Sequence, residues 1–248
     1  MSGRPPLTPE TFDSVFREAA HSEWTRRVIG ADLPAEVDPF SFITLDGLHQ
    51  IAGWLAVCRG ETLVDLACGR GGPGLWLAGQ IGAALVGIDF SPVGIDHATA
   101  RAAELAPELS VRYVVADAAA TGLPDAAAAG LVCIDAIQLM PRPDAVMAEV
   151  RRLLRPGARA VFSTCEEPDR LRDLAALFES AGLTTIAVEA RPDWLARERA
   201  IFERALADAP EFPEDESLQS LAAEAKEVLP LIDKAKRVLG LAEKPRTR

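Results

Sequence analysis

Val64-Asp65-Leu66-Ala67-Cys68-Gly69-Arg70-Gly71-Gly72-Pro73-Gly74 is the stretch that decides the fold of this chain. An apolar run carries an acidic residue, a glycine-rich turn follows, and Leu75-Trp76-Leu77-Ala78 continues at helical spacing. A strand, a tight turn and a helix written in that order describe a backbone that must come close to a small ligand, because glycine alone leaves room for such an approach.

Downstream the same rhythm repeats. The runs 62–67, 84–89, 111–116, 129–135, 158–164 and 183–189 read as buried strands, and segments near 73–81, 92–105, 143–155 and 168–181 read as amphipathic helices. Alternation of this kind predicts an α/β domain with a doubly wound, mostly parallel sheet. Asp65, Asp89, Asp117 and Asp135 fall at or near the ends of successive runs, the edge where such sheets bind ligands.

Outside this core the pattern is helical. Residues 1–7 read as a disordered lead-in, and Thr8-Pro9 starts a helix with Thr8 as its cap. A second helix is expected over 44–57, and two more over 192–207 and 216–232. The run from Lys236 to Glu243 reads as a final edge strand. The expected division is an N-terminal helical cap (1–58), an α/β core (59–190), a helical lid (191–234) and an edge strand with tail (235–248).

Composition narrows the function. Of the 248 residues, 49% are hydrophobic and 25% charged, which provides an ample core. The net charge of −11 argues against holding a nucleic-acid backbone by bulk charge. No apolar run is long enough for a membrane span, and no apolar export signal opens the chain, so a cytoplasmic location is expected. The four cysteines lack metal-ligand spacing, and no metal site is expected.

Gly69, Gly71 and Gly74 also fit the dinucleotide fingerprint, which by itself is weak. Asp89 closes the second run in Gly87-Ile88-Asp89-Phe90-Ser91, where a carboxylate can accept both ribose hydroxyls of an adenosine. That feature serves NAD and S-adenosylmethionine alike. Hydride chemistry would want a proton relay such as a Tyr-x-x-x-Lys pair, and the single tyrosine, Tyr113, lies inside a strand-like run with no lysine near it.

The order and wording of VDLACGRGGPG (64–74), GIDFS (87–91), VADAAATGLP (115–124), LVCIDAIQLM (131–140) and EVRRLLRPGARAVFS (149–163) resemble the class I S-adenosylmethionine-dependent methyltransferases of the small-molecule, natural-product tailoring type. Ala67 stands where that family usually has its first glycine. The resemblance implies a Rossmann-like, seven-stranded sheet with helical lid additions at both ends, and S-adenosylmethionine as cofactor. It places Ala67, Cys68, Gly69 and Gly71 at the cofactor's amino-acid end, Asp89 on the ribose, Phe90 against adenine, Asp117 and the Ala118 amide at the adenine edge, and Cys133 and Ile134 beside the methionine moiety. The partner implied is a small organic acceptor, methylated on oxygen or nitrogen in secondary metabolism, by a monomer or homodimer.

Candidate catalytic residues are His21, His49, Asp135 and Gln138, the last two as substrate-facing polar groups, none of them compelled by the chemistry, because displacement on a sulfonium carbon needs a base only when the acceptor must lose a proton. Two alternatives stand beside methyl transfer to a small molecule. One is a cyclase or other repurposed protein that keeps the cofactor site. The other is a nucleic-acid or protein methyltransferase, against which Asp135-Ala136-Ile137-Gln138 shows none of the Asn/Asp-Pro-Pro-aromatic tetrad of nucleobase enzymes.

Overall fold

The apolar runs assemble into one sheet, in which the central runs are buried on both faces and the outer runs, 111–115 and 184–190, only in part. The computed structural model describes residues 8–38, 40–167 and 173–246. The lead-in at 1–7 and the first part of the helix expected from 168 lie outside them. β1 (Thr62–Leu66) is central, parallel to β2 (Ala84–Asp89) on one side and β4 (Ala128–Ile134) on the other, with Val64 opposite both Val86 and Leu131. β3 (Val111–Val115) flanks β2, and β5 (Leu154–Glu166) runs parallel to β4.

The remaining strands are β6 (Thr184–Ala190) and β7 (Lys236–Glu243), and the full order is β3-β2-β1-β4-β5-β7-β6. The last strand is therefore not an edge, as the sequence suggested. β7 inserts antiparallel between β5 and β6, and its six residues from Arg237 to Ala242 are all buried. β6, with Ile186 half exposed, takes the edge instead. The direction of β7 follows from its route, since the chain comes back from helices above the strands' carboxyl ends.

α4 (Gly72–Ile81), α5 (Pro92–Leu105), α6 (Pro143–Leu153) and α7 (Leu174–Ser180) cover the two faces of the sheet, but three helices precede them in the chain: α1 (Pro9–His21), α2 (Glu23–Val28) and α3 (Leu45–Leu55). α3, grouped by its sequence position with the cap, packs Leu48, Ile51 and Leu55 into the sheet core beside Leu63 and Leu77. The cap proper is α1 and α2, separated at Ser22, whose hydroxyl accepts from the Thr25 amide at 3.0 Å and so starts a second helix.

α8 (Pro192–Asp208) and α9 (Glu216–Val228) complete the fold. They share a small apolar core with the cap, in which Trp24 and Ile29 meet Ile201, Ala205, Leu218 and Ala222. Segments that lie far apart in sequence thus form one roof over the carboxyl ends of the strands. Among the described residues no helix is long and apolar enough to cross a membrane.

Candidate functional site

The glycine turn folds through three left-handed residues, Ala67 (φ 58°), Gly69 (φ 51°) and Gly71 (φ 81°). Packing explains the glycines at two positions. A Cβ on Gly71 would stand 2.6 Å from the Tyr113 hydroxyl and 2.8 Å from the Ala98 Cβ, and one on Gly74 would stand 2.8 Å from the Asp65 Cγ. Ala67 holds a conformation that costs an L-residue roughly 1–2 kcal/mol.

The turn's amides point inward. Cys68 N–H donates to Ile88 O at 2.9 Å, Gly71 N–H to Cys68 O at 2.8 Å and Gly69 N–H to Asp89 Oδ2 at 2.8 Å, while the Gly74 amide bonds to Asp65. A dinucleotide turn works by aiming such donors at pyrophosphate oxygens. Here those donors already have protein partners, and two carboxylates lie behind them. The arrangement suits a cation better than a phosphate.

Asp65 and Asp89 are 2% and 4% exposed. Burial, aided by the neighbouring Asp89 charge, lifts the Asp65 carboxyl to about 7. Asp89 is also raised, by burial, against hydrogen bonds from the Ser91 and Gly69 amides. The Ser91 amide donates to one Asp89 oxygen at 2.9 Å and the Gly69 amide to the other at 2.8 Å, and the Phe90 amide also bonds the carboxylate, whose roughly four lone-pair sites leave capacity for a sugar hydroxyl. A ligand with an adenosine and a cationic centre therefore fits this donor and acceptor set.

The sheet order brings the cofactor residues expected from sequence to one rim. Asp117, Asp89, the turn at 67–71, and Cys133 with Ile134 lie at or just past the carboxyl ends of β3, β2, β1 and β4, which are neighbours in that order. Phe90 is half-buried beneath Phe12 of α1, their centroids 5.3 Å apart. Asp117 is exposed and paired at 2.8 Å with Arg142, while Ala118 is half-buried. Cys133 is fully buried in the sheet core, where burial pushes its thiol well up.

The loop after β4 holds a feature that sequence reasoning missed. Asp135, at φ 53°, receives Ser163 Oγ at 2.7 Å and Arg237 Nη1 at 2.8 Å on one oxygen, and Phe42 N–H at 3.1 Å on the other. Arg237 is 2% exposed, lies 2.9 Å from Glu198 Oε2 of α8, and is faced by the Phe42 ring at 5.1 Å. Burial lifts Glu198 to about 7 even beside that guanidinium. Gln138 donates to Asp135 O at 3.0 Å and accepts from Thr164 Oγ1 at 2.7 Å. Asp135 and Gln138 are thus engaged in organising the loop after β4. An arginine inside the apolar run 236–242 was the signal available in the sequence.

The histidines lie elsewhere. His49 is exposed on α3 with its ring edge-on to Trp76 of α4 at 5.0 Å, and His21 is exposed at the end of α1. His97 on α5 is half-buried, its pKa lowered by burial and by Arg70. Glu166 accepts from the Leu174 amide at 2.9 Å and so caps α7.

Comparison with known proteins gives a family match over part of the chain and a shared fold. Residues 63–157 match the methyltransferase domain family. Methyltransferase GfsG of Streptomyces halstedii is 30% identical over 142 residues, which is 57% of this chain and 51% of that protein. The chain spans about half the length of the curated relatives it matches. Among solved structures, the cyclase SpnF superposes with a TM-score of 0.75 at 18% identity, covering 100% of both chains. The phosphoethanolamine N-methyltransferase 2 of Haemonchus contortus, in complex with S-adenosyl-L-methionine, gives 0.75 at 17% identity, over 95% of this chain and 60% of that one.

Proposed function

Since residues 63–157 carry a methyltransferase domain and the fold is that of the class I S-adenosylmethionine-dependent enzymes, we propose that this protein transfers a methyl group from S-adenosylmethionine to an oxygen or nitrogen of a small organic acceptor in secondary metabolism. The observation that carries the reading is the turn at 67–74, with its amides turned inward over two buried carboxylates. In this reading the protein acts in the cytoplasm as a monomer or homodimer, without nucleic-acid partners.

S-adenosylmethionine, when bound, supplies a methyl carbon already activated by positive sulfur. The chain's residues bind and orient. Asp89 receives the ribose hydroxyls, Phe90 lies against adenine, and Asp117 with the Ala118 amide reads the adenine edge. The backbone at Ala67, Cys68, Gly69 and Gly71 takes the amino-acid end, with Cys133 and Ile134 bordering it. The roof of α1, α2, α8 and α9 excludes water from the acceptor side.

Holding the acceptor atom in line with a reactive centre is worth up to ~7–11 kcal/mol, so alignment can supply most of the rate. Asp135 and Gln138 act in this scheme by shaping the loop after β4, with Arg237 behind them. A neutral amine nitrogen suits a site whose polar groups are already paired, because its lone pair attacks directly and its proton leaves to water afterwards, whereas a hydroxyl or an acidic carbon must give up its proton for the transfer.

The test is incubation with methyl-labelled S-adenosylmethionine and a panel of hydroxyl and amine natural-product scaffolds, alongside calorimetry with S-adenosylhomocysteine. Label in the product and binding of the homocysteine compound are expected. Asp89→Ala should weaken that binding by ~1.5–3 kcal/mol, as loss of a charge-assisted hydrogen bond does. Conversion of a scaffold without label would favour the repurposed, cyclase-like reading, and no binding would refute a cofactor role for the turn.

A further inference from the structure

Arg70 sits inside the glycine turn, between two left-handed glycines, yet its side chain serves another part of the molecule. It is 8% exposed. Its Nη2 donates to Asp38 Oδ1 at 2.9 Å, its Nε lies 2.5 Å from Asp38 Oδ2, and its Nη1 reaches Phe16 O of α1 at 3.5 Å. Asp38, 4% exposed, belongs to the segment between α2 and α3. Arg101 of α5 stands 3.4 Å from the same carboxylate, and half-buried His97 feels the charges of Arg70 and Asp38.

The contact is close on the backbone side as well. A Cβ on Gly72 would collide with the Asp38 backbone, and one on Gly69 would stand 3.2 Å from the Phe16 ring. Asp13 of α1 also accepts a hydrogen bond from Ser91, two residues past Asp89. The turn, the ribose-side strand end and α1 are therefore in direct contact.

α1 in turn is joined to the roof. Ser22 Oγ donates to Asp215 Oδ2 at 2.8 Å, Trp24 Nε1 donates to Asp208 Oδ2 at 2.8 Å, and Ser220 bonds Glu18 at 3.2 Å. Arg70 thus connects a turn whose conformation a ligand would set to helices that cover the acceptor side. A guanidinium fork meeting a carboxylate with two nitrogens transmits orientation as well as charge, which an ammonium cannot do. Separating the buried pair would leave Asp38 with only the more distant Arg101 and the Arg70 guanidinium with only the Phe16 carbonyl, so the joint favours an all-or-none roof.

We propose that Arg70 is a positioning residue which, through Asp38 and the Phe16 carbonyl, couples occupancy of the 67–74 turn to closure of the roof formed by α1, α2, α8 and α9. This rests on the methyl-transfer reading above.

Hydrogen exchange of the full chain with and without saturating S-adenosylhomocysteine tests it, together with that compound's dissociation rate by stopped flow. In the wild-type protein the compound should slow exchange at least tenfold in residues 9–28 and also in 192–228. In Arg70→Lys and Asp38→Asn, both close to the native volume, binding should persist. Slowing should then be confined to 62–74 and 84–91, and dissociation should be at least tenfold faster.

A wild-type roof indifferent to the bound compound overturns the coupling, whatever the variants do. Variants with the native pattern and native release rate overturn Arg70's role. Failure of the wild-type protein to bind the compound at all overturns the methyl-transfer reading, and the coupling with it.

Discussion

Asp65 offers the sharpest physical prediction, because its carboxyl is buried behind the turn and its protonation state is linked to folding. Its pKa in the folded protein is about 7 against an ordinary 3.8. A shift of roughly three units corresponds to about 4 kcal/mol between the protonated and ionised forms. The folded value lies above the unfolded one, so the group's contribution is intact below about pH 4 and is lost as the pH rises through 7. Between pH 5 and pH 8 the loss amounts to about 3 kcal/mol, the remainder falling below pH 5.

Asp65→Asn removes that titration while keeping an oxygen for the Gly74 amide. Its new amide hydrogens carry a constant cost of roughly 1–3 kcal/mol if left unpaired, which does not change with pH. The quantity to measure is therefore the stability difference between the two proteins by urea unfolding at pH 5 and pH 8, in the absence of ligand. That difference should move by about 3 kcal/mol in favour of the variant. In the presence of ligand, the proposed function adds that the variant should lose affinity for cationic S-adenosylmethionine more than for its neutral homocysteine product. Parallel pH profiles would refute the argument that this carboxyl titrates near 7 beneath the turn.

Two further outcomes follow from the backbone and the buried charges. Ala67→Gly relieves a left-handed alanine costing roughly 1–2 kcal/mol and gives back about 0.4–1 through a looser unfolded chain, so stability should rise by up to about 1.5 kcal/mol. A lower melting temperature would show that the alanine methyl contributes packing that outweighs the strain. Arg237→Leu leaves Asp135 and Glu198 buried without their cation and should cost about 3–5 kcal/mol in urea unfolding. Adding Asp135→Asn and Glu198→Gln should recover at least half, and a single-variant loss under about 1 kcal/mol would mean the triad is hydrated and not the buried joint described here.

Local rules sufficed for much of this protein. Thr8-Pro9 starts α1 where capping chemistry places it, with the Thr8 side chain accepting from the Thr11 amide. The apolar runs became strands and the amphipathic segments helices, because burial on two faces and burial on one stripe leave different periodicities. The turn and the aspartates after β2, β3 and β4 were legible for the same reason. They are short-range patterns, and a parallel sheet carries them to one edge regardless of what covers it.

What needed the third dimension is every pairing between distant segments. The apolar run at 236–243 announced a strand, but its place between β5 and β6 depends on the path through α8 and α9. Asp135 looked like a free polar group at a strand end. Only the fold shows Arg237, 102 residues further on, neutralising it. Arg70 read as one more residue of a glycine turn, and nothing near it in the chain indicated Asp38 and the Phe16 carbonyl as its partners. Periodicity and turn chemistry act over a few residues and are written along the chain, whereas a buried charge is satisfied by whichever partner the completed packing delivers.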